Sequence, residues 1–170
     1  MPIDQCFRSF SELSNSTMPS IMHMLREKMK QPVPMEVFAM PGEGKATILE
    51  KLRLKSDFKG CYVLLDKEKP IYVGISQSVI QRLQQHVKGQ THYDASLAYR
   101  MASDKVPLET TRAEAMQNDP FRKAFIHSKE YLQSLFVAFI EIENAVELYL
   151  FELYCALELD TEKWNTFETH

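Results

Sequence analysis

The chain has 170 residues, 45% hydrophobic and 25% charged, with a net charge of −3, which suits one globular domain with modest additions and enough apolar residues for a core. No apolar run approaches membrane-spanning length, and the N-terminus lacks the basic-then-apolar order of a secretory signal, so the protein is expected to stay in the cytosol, with no membrane partner. Cys6, Cys61 and Cys155 are odd in number, far apart and set among apolar residues, which argues against a disulfide framework or a zinc site and for reduced packing residues.

In chain order, the first predicted element is a helix from about Pro19 to Lys30, with Met22, Met24, Leu25 and Met29 as its apolar positions, ended by Pro32 and Pro34. Such a methionine stripe is read as core filler. Pro41-Gly42-Glu43-Gly44-Lys45 has the look of a phosphate loop, but Ala39 stands where the first glycine belongs and Ala46 where a hydroxyl should follow the lysine, so it is read as a plain loop.

Two β-patterned runs follow. Residues 61–66 and 71–75 are rich in β-branched, leucine and aromatic residues, and the charged run between them ends in Pro70, which suits a strand start but not a central position. An antiparallel hairpin is predicted. Alternation puts Tyr62 with Leu64 on one face and Tyr72 with Gly74 on one face. Whether both phenols point the same way depends on the parity of the register, which a turn longer than two residues leaves open.

Ser76 is a candidate N-cap for a short amphipathic helix carrying Val79, Ile80, Leu83 and Val87, with Gly89 as its stop. Arg82 and His86 project from it one turn apart. A guanidinium beside an imidazole is poor electrostatic company unless an anion lies between them, and a phosphate suits the planar fork of donors. Beyond it come a helix-prone piece around Ala95 to Ser103, a linker at Pro107, and helices near Thr111 to Met116 and Pro120 to Ser134, with Asp119-Pro120 as N-cap and N1. This stretch either grips substrate or a partner, or merely caps the sheet.

Leu135 to Ile142 reads as a third strand and Ala145 to about Glu158 as a helix. On that helix Glu152 has Leu148, Tyr149, Cys155 and Ala156 at i−4, i−3, i+3 and i+4, which places a carboxylate on an apolar stripe. It therefore needs a cation, an arginine or a proton. Mg²⁺, a hard ion held by one or two carboxylates plus phosphate and water, is a natural partner, and Arg82 is the alternative mate. Glu143 and Glu147 fall on another stripe, read as a solvated edge.

The order Gly60-Cys61-Tyr62, Tyr72-Val73-Gly74, arginine helix and late glutamate resembles the GIY-YIG nuclease family, over residues from about 57 to the end of the chain. Cys61 and Val73 replace the two isoleucines of the motif. His92-Tyr93-Asp94-Ala95-Ser96-Leu97-Ala98-Tyr99-Arg100 and the segment Lys163 to His170 look like motifs of a bacterial subgroup. The resemblance implies a metal-dependent endonuclease acting on DNA with Mg²⁺ or Mn²⁺, in which Tyr62 and Tyr72 overlie the active site, Arg82 contacts the scissile phosphate and Glu152 binds the metal. His86, Lys88 and Asn165 join as further catalytic or substrate-binding residues. The proton acceptor is Tyr62 or His86; a phenol titrates near pH 10 and would need help from Arg82 or the metal. His92 and His170 are left as structural or substrate-adjacent.

The implied fold is α/β (α+β), a small three-stranded antiparallel sheet flanked by helices, with an N-terminal helical extension over 1–56, a nuclease domain over 57–170 and a helical insertion at about 91–134. A net negative charge and a pI near 6.0 weigh against a broadly basic surface. Arg82, Lys88, Arg100, Lys105 and Arg112 cluster in sequence, partly offset by Asp94, Asp104 and Glu109, which predicts a small basic cleft on an acidic surface. A restriction-type enzyme and a noncatalytic nucleic-acid or protein-binding module on the same scaffold are the alternatives.

Overall fold

The computed structural model describes residues 2–167. Its strands are β1 (Val33–Pro34), β2 (Gly60–Asp66), β3 (Lys69–Ser76) and β4 (Phe136–Glu141). Its α-helices are α1 (Phe10–Glu12), α2 (Met18–Met29), α3 (Lys45–Lys51), α4 (Val79–Lys88), α5 (Ser96–Lys105), α6 (Arg112–Gln117), α7 (Asp119–Gln133) and α8 (Ala145–Leu159). The sheet has four strands in the order β1-β4-β2-β3, not three. The extra strand is a two-residue edge piece ending in proline, too short to leave a periodic signal.

The chain divides into two compact units, one drawn from Met1–Val33, Ser56–Val79 and Phe136–His170, the other from Pro34–Lys55 and Ile80–Leu135. In the first, β2 is central to the hairpin and to the pairing with β4, both antiparallel. Opposite partners share a face, so Cys61, Val63, Leu65, Val73 and Ala138 line one side, where they form a core with Ile21, Met22 and Leu25 of α2 and Leu148, Phe151 and Cys155 of α8. Of the stripe expected of α2, Met22 and Leu25 are buried against this face and Met29 partly so, but Met24 is exposed; on α8, Leu148, Cys155 and Ala156 are buried whereas Tyr149 is exposed.

The helical run toward α2 starts earlier than expected. A capping box between Ser9 and Glu12 opens α1, and a π-helical turn, Leu13–Thr17, joins it to α2. Pro19 explains the wide turn: it has no N–H to give and its ring crowds the carbonyl four residues back, so the backbone loosens just before it.

The hairpin turn is tighter than its charged sequence suggests. Asp66 pairs with Lys69, leaving only Lys67 and Glu68 between the strands, with Lys67 at a φ of 58°. A bulge between Leu64 and Leu65 absorbs the odd residue, and Pro70 falls on the edge strand, where its missing N–H costs little.

In the second unit α5 and α7 pack together, α6 packs on α7, and the Met35–Phe38 3-10 turn also rests on α7. Helix α3 begins at Lys45, directly after the loop read around Gly42. The cap of α7 is Asn118, whose side chain accepts the Phe121 N–H at 3.0 Å; Asp119 and Pro120 are its first two residues. The shift of one position arises because asparagine takes the extended backbone that an N-cap needs and leaves Asp119 in the first turn, where its charge suits the helix dipole.

Gly60 shows how closely β2 and β4 approach. A Cβ built there would lie 2.1 Å from the Ile140 carbonyl oxygen. Gly60→Ala is expected to destabilise the protein by about 1–3 kcal/mol, read as a lower urea midpoint at unchanged slope; an unaltered midpoint would contradict the close approach.

Candidate active site

The hairpin register answers the question of parity. Tyr62 lies opposite Gly74, and Leu64 opposite Tyr72, so both phenols leave the same face of the sheet. Their ring centroids are 6.2 Å apart and tilted by 52°. Gly74 makes room for one of them: a Cβ at that position would meet Cζ and Oη of Tyr62 at 2.4 Å. The tripeptide Tyr72-Val73-Gly74 thus supplies one phenol and a notch for the other. Tyr62 is only 1% exposed, whereas Tyr72 is half-buried.

Asn165 is joined to the same strand. Its Oδ1 accepts the Val73 N–H at 2.9 Å and its Nδ2 donates to the Val73 carbonyl at 2.8 Å. β3 is an edge of the sheet, so Asn165 acts on it as a one-residue substitute for the missing neighbour.

Glu152 stands on α8, which packs on β3 and β2 over the face opposite the phenols. It is half-buried and, among the described residues, makes no hydrogen bond or ion pair. Burial raises its carboxyl above the ordinary value. The carboxylate lies close enough to Cys61 to help raise that thiol, whose shift comes first from burial and next from a hydrogen bond with Cys155. Both thiols are free and buried, as expected of packing residues. Of the neighbouring acids, Glu147 is half-buried and paired with Arg8, so it is not a solvated edge, while Glu143 is exposed.

Helix α4 starts at Val79, whose N–H donates to the Phe58 carbonyl at 2.9 Å, just ahead of β2. Ser76 does not cap it directly; its Oγ accepts the Ser78 N–H. The helix stops at Gly89, whose N–H reaches the Gln85 carbonyl at 3.0 Å. A Cβ at Gly89 would come within 2.7 Å of Asp94, so the loop that follows folds tightly over the helix end.

Arg82 holds that loop. Nη1 donates to Gln85 Oε1 at 3.2 Å and to the Asp94 carbonyl at 2.8 Å, and Nη2 donates to Ser96 Oγ at 2.7 Å. A guanidinium has five N–H donors, so two remain for a substrate. Asp94 and Ser96 were not legible as its partners, because only the closed loop brings them to α4. Lys88 donates to the Glu43 carbonyl at 2.7 Å.

His86 is 0% exposed, and its pKa is lowered to about 3, first by burial and then by the Arg82 guanidinium. A neutral imidazole of such low basicity is a weak proton acceptor near pH 7. The i, i+4 spacing that suggested a shared anion instead places an uncharged ring beside the cation.

The residues present fit a divalent ion only in a limited way. No group of three or more histidine, cysteine, aspartate or glutamate residues gathers among the described residues. Glu152, a desolvated oxygen donor without a cationic partner among the described residues, suits one ligand of a hard ion whose other ligands are phosphate and water.

The family model described as the GIY-YIG catalytic domain matches residues 58–154, more than half of the chain. The matched span includes both tripeptides' tyrosines, Arg82, His86 and Glu152 and stops short of Asn165. No curated protein and no solved structure matches the chain. No helix among the described residues is long and apolar enough to cross a membrane.

The buried His86 has a pH consequence. Its folded pKa near 3 lies below the ordinary 6.5, so the unfolded chain binds more protons between those values, and stability falls as pH drops below about 6.5. The slope from this one group is at most about 1.4 kcal/mol per pH unit. Urea midpoints at pH 7 and pH 5 should differ more for the wild type than for His86→Gln; parallel shifts would show that His86 is not buried neutral.

Proposed function

The chain belongs to the GIY-YIG family, a family of nucleases, and on that premise we propose that it is a divalent-metal-dependent endonuclease acting on DNA. The observation that carries this reading is Glu152: a half-buried carboxylate, destabilised as an anion by burial and given no cationic partner by the described residues. A fold that leaves an acid in this state has a use for a cation that arrives with the substrate.

In this reading the two free N–H donors of Arg82 bind the scissile phosphate and stabilise the charge that builds on it in the transition state. Tyr72, the better exposed phenol, would accept the proton of the attacking water, and Tyr62 packs beside it on the same face. That gives the proton-accepting role to the phenol pair rather than to His86, whose low basicity suits it to packing beneath Arg82. Asn165 is a positioning residue that steadies β3, and with it Tyr72. Lys88 adds charge for the DNA backbone. A Mg²⁺ or Mn²⁺ ion held by Glu152 would supply positive charge to offset that of a substrate phosphate.

The distribution of charge favours a nucleic acid as substrate despite the net acidity. The sequence stretches of the unit that contains Arg82 carry 12 Lys and Arg against 9 Asp and Glu, a net of +3, while the other unit carries 8 against 14, a net of −6. The cations are therefore concentrated where the arginine helix is.

Incubation with supercoiled plasmid and Mg²⁺ or Mn²⁺ should give nicked and linear forms. Arg82→Ala and Glu152→Gln should each slow cleavage by roughly 10²–10³-fold, and Tyr72→Phe should slow it with little effect on DNA affinity. Binding by the wild type without any nicking, in either metal, would point to a noncatalytic module instead. Discrete fragments would mark a restriction-type enzyme.

A further inference from the structure

The loop between α4 and α5 carries a feature that the proposed chemistry does not use. Tyr93 is 75% exposed, the ring of a large aromatic residue turned to solvent. It is not loose. Its ring lies 4.1 Å from that of His92, which in turn lies 5.8 Å from Tyr99, and Tyr99 packs on Phe121 of α7 at 5.0 Å. The backbone beneath it is fixed by a turn in which Thr91 Oγ1 donates to Asp94 Oδ2 at 2.9 Å, the Asp94 N–H donates to Thr91 Oγ1 at 3.2 Å, and the Ala95 N–H donates to the Thr91 carbonyl at 3.0 Å. The next residue, Asp94, gives its carbonyl to Arg82.

An exposed aromatic ring on a pre-organised turn offers a flat apolar face to whatever partner its surroundings favour. Three observations say what that is. The unit bearing it has a net charge of +3; a guanidinium, Arg112, already lies over the neighbouring Tyr99 ring at 5.3 Å; and the turn is tied directly to Arg82. Cations interleaved with aromatic faces are the chemistry that binds the unstacked bases of a nucleic acid strand. In an intact duplex both faces of a base are already taken, so the base must be unpaired.

We propose that Tyr93, backed by His92, is a stacking platform for an unpaired nucleobase of the substrate strand, adjacent to the phosphate that Arg82 engages. This rests on the nuclease reading above and narrows it: the substrate contains a single-stranded stretch, as in a gap, an overhang or a branch. Arg82 then has two tasks, holding the platform through its bonds to the Asp94 carbonyl and Ser96 Oγ, with a third donor on Gln85 of its own helix, and holding the phosphate with the remaining two.

The test compares wild type, Tyr93→Ala and Tyr93→Trp for binding to a gapped oligonucleotide and to its fully paired counterpart, in EDTA and at fixed salt, with 2-aminopurine at successive unpaired positions. Wild type should prefer the gapped strand and quench the probe at one position. Tyr93→Ala should lose about 5- to 160-fold in affinity for gapped DNA, the range for one lost stacked base, lose little on the duplex and quench nothing, while Tyr93→Trp should restore both. No quenching by the wild type, unchanged affinity of Tyr93→Ala, or an equal loss on both substrates overturns the proposal. Plasmid nicking is measured separately: nicking with no base contact sinks the platform and leaves the nuclease, and a base contact with no nicking in either metal does the opposite.

Discussion

The approach of Tyr62 to Gly74 is the constraint from which the hairpin side of this structure follows. With only a hydrogen where a Cβ would overlap the phenol, the ring can lie across the neighbouring strand, and β2 and β3 are held in the one register that allows it. That register sorts every other side chain. It sends Tyr72 to the same face as Tyr62 and sends Cys61, Val63, Leu65 and Val73 to the face covered by α2 and α8. A slip of one residue would bury the phenols among methionines and leucines and turn the core outward.

Much of this is legible in the sequence. The two strands of the hairpin, the arginine helix, the last strand and the helix with Glu152 all announce themselves through period and through caps and stops, and each is observed within a few residues. What was not readable has physical causes. The parity of the phenols turns on a bulge at Leu64 and Leu65, which no residue in the turn signals. β1 is two residues long, and α3 is a short helix whose Gly44 cap has no side chain to advertise it. The π-helical turn needs the proline and the helix before it to be considered together.

The same limit applies within the candidate site. The spacing of Arg82 and His86 shows that they are neighbours on a helix but not which of them faces the interior; burial makes the histidine an uncharged packing group. Asn165 was legible as a motif residue, yet its partner is the main chain of a residue 92 positions away, and a main-chain partner leaves no trace in the sequence. Charge shows the reverse case: the total is acidic and uninformative, and only the folded division into units separates a cationic part from an anionic one.

The tie between Asn165 and Val73 also bears on how the protein is made. Until it forms, β3 presents bare main-chain donors and acceptors along its outer side, a template for strand addition by a second nascent chain. Ninety-two residues separate the two partners, so on the ribosome that edge stays open for several seconds at ordinary rates of synthesis. Once made, the tie occupies both outward main-chain groups of Val73, so a strand added along this edge would have to do without them.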